Sequence, residues 1–516
     1  MDNNGVGSWL HRRRIKSGPK TALISGARTL SYGELADRTD RLANALKDRG
    51  VAKGDRVAFL GENHPSFVET FFACGLLGAI FVPLNTRLAA PELQFQLQDS
   101  GSRLLVNAEA LETLATSAVE ETPVTHRLVV AADDATEVSP AKLPSGVERY
   151  DEVLQAAAST PQDEAVSLDD GAMILYTSGT TGKPKGALLT HGNITWNCIN
   201  TVVDMDLNRN DVALMISPLF HVASLDMGLL PMLLKGATVV LETKFEAGKV
   251  LGLIGQHGVT TLNGVPTTFQ MLCDHPEWPT ADLGSLDKLT CGGSAVPRRV
   301  LDAYEERGIG FTSCYGMTET APGATMLPVS RSKDKAGSAG LPQFFTDVRI
   351  TDPLGGPTPA GHVGEIQISG PNVIKEYWNR PDATAESYAD ARWFRSGDMG
   401  FQDDEGFLFI SDRMKDMIIS GGENIYPAEV EAAIAELDSV GSVAVIGIED
   451  PKWGEVPRAI VTLREGASLS EEQLRSHLEG RLARYKIPKS VVFVDEMPRT
   501  ASGKIRKMEL RKQFAS

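Results

Sequence analysis

Residues 55–60 read as a short buried strand, residues 65–77 as a helix with a mostly apolar face, and residues 79–84 as a second buried strand. Strands that run parallel side by side need a crossover, so this succession predicts a βαβ unit in a parallel sheet covered on both faces. The pattern recurs at residues 171–176, 237–242, 259–263 and 288–291, with a helix opening near Pro297. After about residue 335 the segments shorten, and residues 363–369 and 406–410 alternate between Gly or Pro boundaries, which predicts a smaller β-rich unit with hairpins. The texture changes again near Asp412. Beyond it come a helix over 427–437, strands at 443–448, 459–463 and 491–494, and a helix that Ser470 and Gln473 open as a capping box and that runs to about Tyr485. The expected fold class is α/β, with large βαβ layers, a β-rich subdomain and a small α+β module.

Composition narrows the functional classes. The 516 residues include 51 Lys and Arg against 67 Asp and Glu, a formal charge of −16. That argues against a broad electrostatic footprint on nucleic acid, while one locally positive pocket remains open to a small anion. Cys74, Cys198, Cys273, Cys291 and Cys314 are odd in number and form no CxxC pair, which argues for reduced thiols rather than a disulfide scaffold or zinc ribbon. The longest apolar stretch, residues 71–84, is too short to span a bilayer, and no apolar segment beside Arg12, Arg13 and Arg14 makes a signal peptide. Trp9 and Leu10 next to Arg12, Arg13, Arg14 and Lys16 read as a solvated N-terminal helix, with weak peripheral membrane contact as the alternative. His64, His126, His257, His275, His362 and His477 lack metal-ligand spacing, and neither a G-x-S-x-G elbow nor a Rossmann fingerprint occurs.

The sharpest local signal is Thr177-Ser178-Gly179-Thr180-Thr181-Gly182-Lys183-Pro184-Lys185-Gly186, directly after a buried strand. Its glycines let the backbone approach a ligand, its hydroxyls donate, and its two lysines supply charge, a combination suited to a polyphosphate. It is not a Walker A loop: the spacing is G-x-x-G-K-P, and Pro184 prevents a helix from starting at once.

This loop resembles the phosphate-binding loop of the adenylate-forming superfamily, which includes acyl-CoA synthetases, adenylation domains of peptide synthetases and firefly-type luciferases. Tyr315-Gly316-Met317-Thr318-Glu319 resembles the family's second core motif. There the resemblance implies that Tyr315 flanks the adenine, Thr318 contacts the α-phosphate and Glu319 helps hold Mg²⁺. Gly292, Gly293, Ser294 and Ala295 look like the segment along the adenine, and Trp393 to Asp398 like the stretch whose aspartate accepts from the ribose hydroxyls. Asp412-Arg413-Met414-Lys415-Asp416 is similar to the interdomain hinge, with Arg413 reaching the ribose and Lys415 as pivot. Gly421 and Gly422 match glycines that leave room for the pantetheine arm, although they also read as a turn. Lys504, in Pro498-Arg499-Thr500-Ala501-Ser502-Gly503-Lys504, matches the lysine that stabilises charge during adenylation. The implied organisation is an N-terminal adenylation domain over 1–411, a hinge at 412–416, and a small mobile lid domain over 417–516.

The acyl pocket is where such families diverge. His221 resembles the gate beside the acyl carboxyl. A carboxylate at Asp226 would repel a dicarboxylic acid and accept a hydrogen bond from a hydroxyl or amino group on an aromatic acid, unless it turns away to cap a helix. Cys314 stands where many relatives carry glycine and narrows the pocket. The resemblance implies a cytoplasmic ligase of fatty or aromatic acids that uses ATP, Mg²⁺ and CoA, forming acyl-AMP and then acyl-CoA, with a place in fatty acid metabolism. A different acceptor, such as a carrier-protein thiol, an amine or water, is the second reading. A non-catalytic nucleotide-binding protein is the third, and Lys504, Glu319 and Asp398 argue against it.

Overall fold

The computed structural model describes residues 2–131, 143–177, 184–292, 296–413, 416–420, 423–451, 453–479, 481–482, 484–500 and 504–515. Two large sheets form the N-terminal domain. The first has eight strands in the order Glu376–Tyr377, Lys185–Thr190, Gly171–Thr177, Ile80–Leu84, Arg56–Leu60, Leu104–Ala108, His126–Val130 and Val147–Arg149. The βαβ unit expected at 55–84 sits at its centre, with Val57 beside Phe81 in parallel register. The second has nine strands, parallel from Phe311–Gly316 through Lys288–Gly292, Thr261–Gly264, Val212–Met215 and Thr238–Leu241 to Thr21–Ser25. Neither sheet is parallel throughout. Each contains a hairpin whose strands pair antiparallel, because a short connection can only return a strand in the opposite direction.

A four-stranded antiparallel sheet follows, Asp347–Thr351, Gly364–Ser369, Phe394–Gln402 and Leu408–Arg413. The smaller C-terminal domain is built on a long hairpin, Val440–Asp450 against Gly454–Leu463, with Ser490–Phe493 added in parallel. Its capping box forms as expected: the Gln473 amide N–H donates to the Ser470 hydroxyl, and the Ser470 N–H donates to the Gln473 side chain. The helix it opens is shorter than expected, Glu471–Leu478 rather than a run to Tyr485. Its buried residues, Leu474 and Leu478, are already used, and Gly480 lowers helix propensity just beyond.

Helix Pro65–Leu77 departs from the expectation of one apolar face. All its residues are buried, since it lies under helices Ser8–Ser17 and Tyr32–Asp48 as well as against the sheet. Phe67 and Phe71 pack edge-on against Phe81 at 5.0 and 5.7 Å. Glu69 is fully buried in this helix, and its carboxylate takes Arg38 Nε at 2.6 Å and the Tyr150 hydroxyl at 2.6 Å, tying three helices together. Replacing Glu69 with Ala is expected to lower stability by about 3–5 kcal/mol, read by chemical denaturation, because Arg38 and Tyr150 lose the group that satisfies them. An unchanged midpoint would mean that water replaces the carboxylate without loss.

The N-terminal helix corrects the membrane alternative. Trp9 and Leu10 are buried inside the protein, Arg13 donates to the Leu234 carbonyl, and Arg14 pairs with Asp40 at 2.5 Å. The apolar half of that basic start is therefore already covered. Among the described residues no helix is long and apolar enough to cross a membrane. All five cysteines are free thiols.

Candidate active site

The expected phosphate loop joins two antiparallel strands, with Thr177 opposite Lys185. Ser178, Gly179, Thr180, Thr181 and Gly182 lie outside the described residues, so the site is built from the loop's two ends. The Thr177 hydroxyl points to Glu319 Oε1 at 3.5 Å, and the Tyr377 hydroxyl donates to the same oxygen at 2.8 Å. Lys185 Nζ stands 5.5 Å from the Tyr377 ring centre, a cation–π contact. Thr177, Lys185 and Glu319, 142 residues apart between the first and last, thus meet at one corner. Burial, and then Glu319, push the Tyr377 phenol upward, so it stays a donor. Among the described residues no three His, Cys, Asp or Glu gather at one point. A single carboxylate flanked by hydroxyls fits Mg²⁺, which takes one or two carboxylates and completes its shell with phosphate and water.

The candidate nucleotide corner comes from strand Phe311–Gly316 and the turn after it. Gly316 is required by packing: a Cβ there would lie 1.6 Å from the Pro322 carbonyl oxygen. The turn Thr318–Thr320 follows, with the Met317 N–H donating to the Thr320 hydroxyl at 3.0 Å. The Tyr315 hydroxyl donates to Asp398 Oδ2 at 2.8 Å, which joins the residues assigned to adenine and ribose into one unit. Ser396 fixes Asp398 from behind: its hydroxyl accepts from the Asp398 N–H at 3.0 Å and donates to the Ile366 carbonyl at 2.6 Å. The change from the family's threonine thus keeps the hydroxyl that matters. Asp398 is paired in strand register with Arg413.

His221, Cys314 and Lys504 form the candidate acyl corner. His221 packs against Phe220 with the rings tilted by 52° and their centres 4.7 Å apart. Burial, then the positive charges of Lys504 and Arg87, push its imidazole down to about 4. His221 is therefore neutral near pH 7. Burial pushes the Cys314 thiol up to about 12, against an opposing pull from Lys504. Lys504, from the far end of the chain, thus acts electrostatically on two residues of this corner. Its backbone is held by the Thr500 side chain, whose hydroxyl accepts from the Lys504 N–H at 3.1 Å.

Asp226 lies on one π-helical stretch, Ala223–Leu229. It caps no helix: it is fully buried, and among the described residues neither carboxyl oxygen has a hydrogen-bond partner. Burial holds it well above the usual carboxylate range. Burial thus disfavours the charged form on which the expected repulsion of a second acid rests.

Gly293, Ser294, Ala295, Lys415, Gly421 and Gly422 lie outside the described residues. Tyr377 joins Glu319 through its hydroxyl and Arg87 places its charge near His221, and neither has a signal of its own in the sequence. Tyr377 alone stands in a stretch, residues 375–381, with the texture of the family.

Comparison with known proteins rests on this geometry. The AMP-binding enzyme family model matches residues 11–378, and the AMP-binding enzyme C-terminal domain matches residues 429–504. The chain belongs to the AMP-binding enzyme family. It is 49% identical over 515 residues to a feruloyl-CoA synthase of Amycolatopsis sp, covering 100% of each chain. It is 42% identical to an indoleacetate–CoA ligase of Aromatoleum aromaticum, covering 99% of this chain and 98% of that one. The solved anthranilate CoA ligase AuaEII in complex with anthranoyl-AMP superposes with a TM-score of 0.91 at 26% identity, over 99% of this chain and 98% of that one. This AMP-binding enzyme is an ATP-dependent, AMP-forming acid–CoA ligase: it activates a carboxylic acid as an acyl adenylate and passes the acyl group to CoA.

Proposed function

We propose that this ligase activates an aromatic acid, with its carboxyl placed between His221, Cys314 and Lys504. The observation that carries the placement is the electrostatic action of Lys504 on both His221 and Cys314. The aromatic class is supported by the feruloyl and indoleacetate ligases to which the chain is similar. In the first step a carboxylate oxygen bonds to the α-phosphorus of ATP, and pyrophosphate leaves. Two anions must approach, so the Lys504 ammonium supplies the compensating charge near the carboxylate and the bridging oxygen. A neutral His221 packs beside the carboxyl without adding a second fixed cation. Thr318 takes the α-phosphate, and Ser178, Gly179, Thr180, Thr181, Gly182 and Lys185 cradle the β and γ groups. Tyr315 and Gly293 to Ala295 take the adenine, with Gly316 and Met317 framing the turn beside it, and Asp398 and Arg413 take the ribose. Glu319, held by Tyr377, would hold Mg²⁺, which supplies charge screening of the phosphates when bound.

In the second step the CoA thiolate attacks the acyl carbonyl, a C–S bond forms and AMP leaves. One site thus performs two chemistries. We read residues 1–411 as the adenylation domain, 412–416 as the hinge with Lys415 as pivot, and 417–516 as the lid that brings Lys504 in and withdraws it. Gly421 and Gly422 then line the entry of the pantetheine arm. The cytoplasm, which supplies ATP and CoA, is the proposed compartment. The test is pyrophosphate release from Mg-ATP across aryl and alkyl acids, with and without CoA. Release that favours aryl acids and rises with CoA is expected. A preference for alkyl acids would overturn the aromatic assignment.

A further inference from the structure

The turn that presents Thr318 and Glu319 does not hold its shape by itself. Ala321 follows it in the left-handed region, at φ 60° and ψ 36°, a conformation that a residue with a Cβ keeps only where its surroundings impose it. Residues 372–377 supply those surroundings. The Ile374 N–H donates to the Glu319 carbonyl at 2.9 Å, and the Tyr377 hydroxyl donates to the Glu319 carboxylate at 2.8 Å. Asn372, fully buried, makes the third attachment. Its side-chain amide donates to the Thr320 carbonyl at 2.7 Å and to the Gly323 carbonyl at 2.6 Å, one on each side of Ala321 and Pro322.

The rest of that amide is engaged as well. The Asn372 oxygen accepts from the Thr346 hydroxyl at 2.9 Å. Thr346 in turn accepts from the Asn200 amide at 3.1 Å, which leaves its single hydrogen for Asn372. Two carbonyls that only accept and one hydroxyl that donates thus fix which way the Asn372 amide points. Asn193 secures the segment that carries it, donating to the Pro371 and Val373 carbonyls at 2.9 and 2.8 Å. Asn193 stands in the first turn of helix His191–Asp204, directly after strand Lys185–Thr190. Two asparagine amides therefore hold the strand that leaves the expected phosphate loop and the turn of Thr318 and Glu319 against one segment.

We propose that Asn372 is a positioning residue of the activation step: by clamping the carbonyls on both sides of Ala321, it fixes the turn from which Thr318 meets the α-phosphate and Glu319 holds Mg²⁺. This rests on the roles proposed above for Thr318 and Glu319. Asn372 acts through the backbone of the turn. The position needs two donors. Aspartate has the same shape but would set a carboxylate oxygen against two carbonyl oxygens, and alanine would leave both buried carbonyls without that donor. Small displacements matter at this turn, because Mg²⁺ demands near-ideal octahedral geometry and the reacting atoms must be aligned.

The test uses the full chain. Calorimetry measures ATP affinity with Mg²⁺ and with a chelator in its place, and adenosine affinity beside them. Acid-dependent pyrophosphate release gives kcat. The wild type is expected to bind ATP more tightly with Mg²⁺, and Glu319→Ala to lose that gain. Asn372→Ala is expected to lose most of the gain and to lower kcat by about 10–100-fold, with adenosine bound as in the wild type. A general loss of structure would weaken adenosine too. Should Asn372→Ala fail to fold, Thr346→Val, which keeps its shape and removes the hydroxyl that orients the amide, must lower the gain and kcat by several-fold for the proposal to stand. A gain and kcat that Asn372→Ala leaves unchanged, or an adenosine affinity that falls as far as the ATP affinity, overturns the proposal. A wild type without the gain, or a gain that Glu319→Ala leaves intact, overturns the role of Glu319, and the proposal with it.

Discussion

Replacing Lys504 with Ala is expected to lower acid-dependent pyrophosphate release by about 10²–10³-fold while ATP affinity changes by less than about tenfold. The first figure follows from removing one preorganised positive group from a site where two anions must meet. The second follows from the assignment proposed above, in which Tyr315 and Asp398, joined by a hydrogen bond, take the nucleoside. A second readout is independent of turnover. Lys504 is one of the charges that hold the His221 imidazole at about 4, after burial. Removing a neighbouring cation penalises the imidazolium less, so the His221 pKa should rise part-way from about 4 toward 6.5, visible in an NMR titration. Undiminished pyrophosphate release would remove Lys504 from the first half-reaction. An unmoved His221 titration would remove it from the acyl corner.

The Asp398→Ala variant is expected to raise the dissociation constant for ATP by about a hundredfold or more. Asp398 is nearly buried, its backbone is pinned by Ser396, and Tyr315 donates to one of its oxygens. A carboxylate held this way can accept from both hydroxyls of a vicinal diol. Two charge-assisted hydrogen bonds are worth at least about 1.5 kcal/mol each, or about 3 kcal/mol together, which is a hundredfold in affinity. Asp398→Asn should lie between the two, since it keeps the shape and loses the charge. Calorimetric titration with ATP decides the point, and unchanged affinity in the alanine variant rejects the ribose assignment.

The parts of the site that can be read from the chain alone are local. The run from Thr177 to Gly186, the Tyr315 to Glu319 turn and the approach to Lys504 each stand in consecutive residues, so the resemblance to the adenylate-forming family can be drawn from them without contacts. The βαβ succession at 55–84 is legible for the same reason: hydrophobic period and length separate strand from helix within one short stretch. The ends of elements are less so. Helix Glu471–Leu478 stops where its buried residues run out, and what buries Leu478 is supplied by other segments.

Tertiary structure alone decided the rest. Tyr377 reaches Glu319 from 58 residues away, and only the edge strand Glu376–Tyr377 brings it there. Full burial of helix Pro65–Leu77 depends on the helices that cover it. The charge state of Asp226 is the clearest case. The sequence determines that a carboxyl stands at 226, and its acidity in water follows from that. Whether it is an anion that repels or a neutral group that donates depends on desolvation, and desolvation belongs to the packed surroundings and not to the residue.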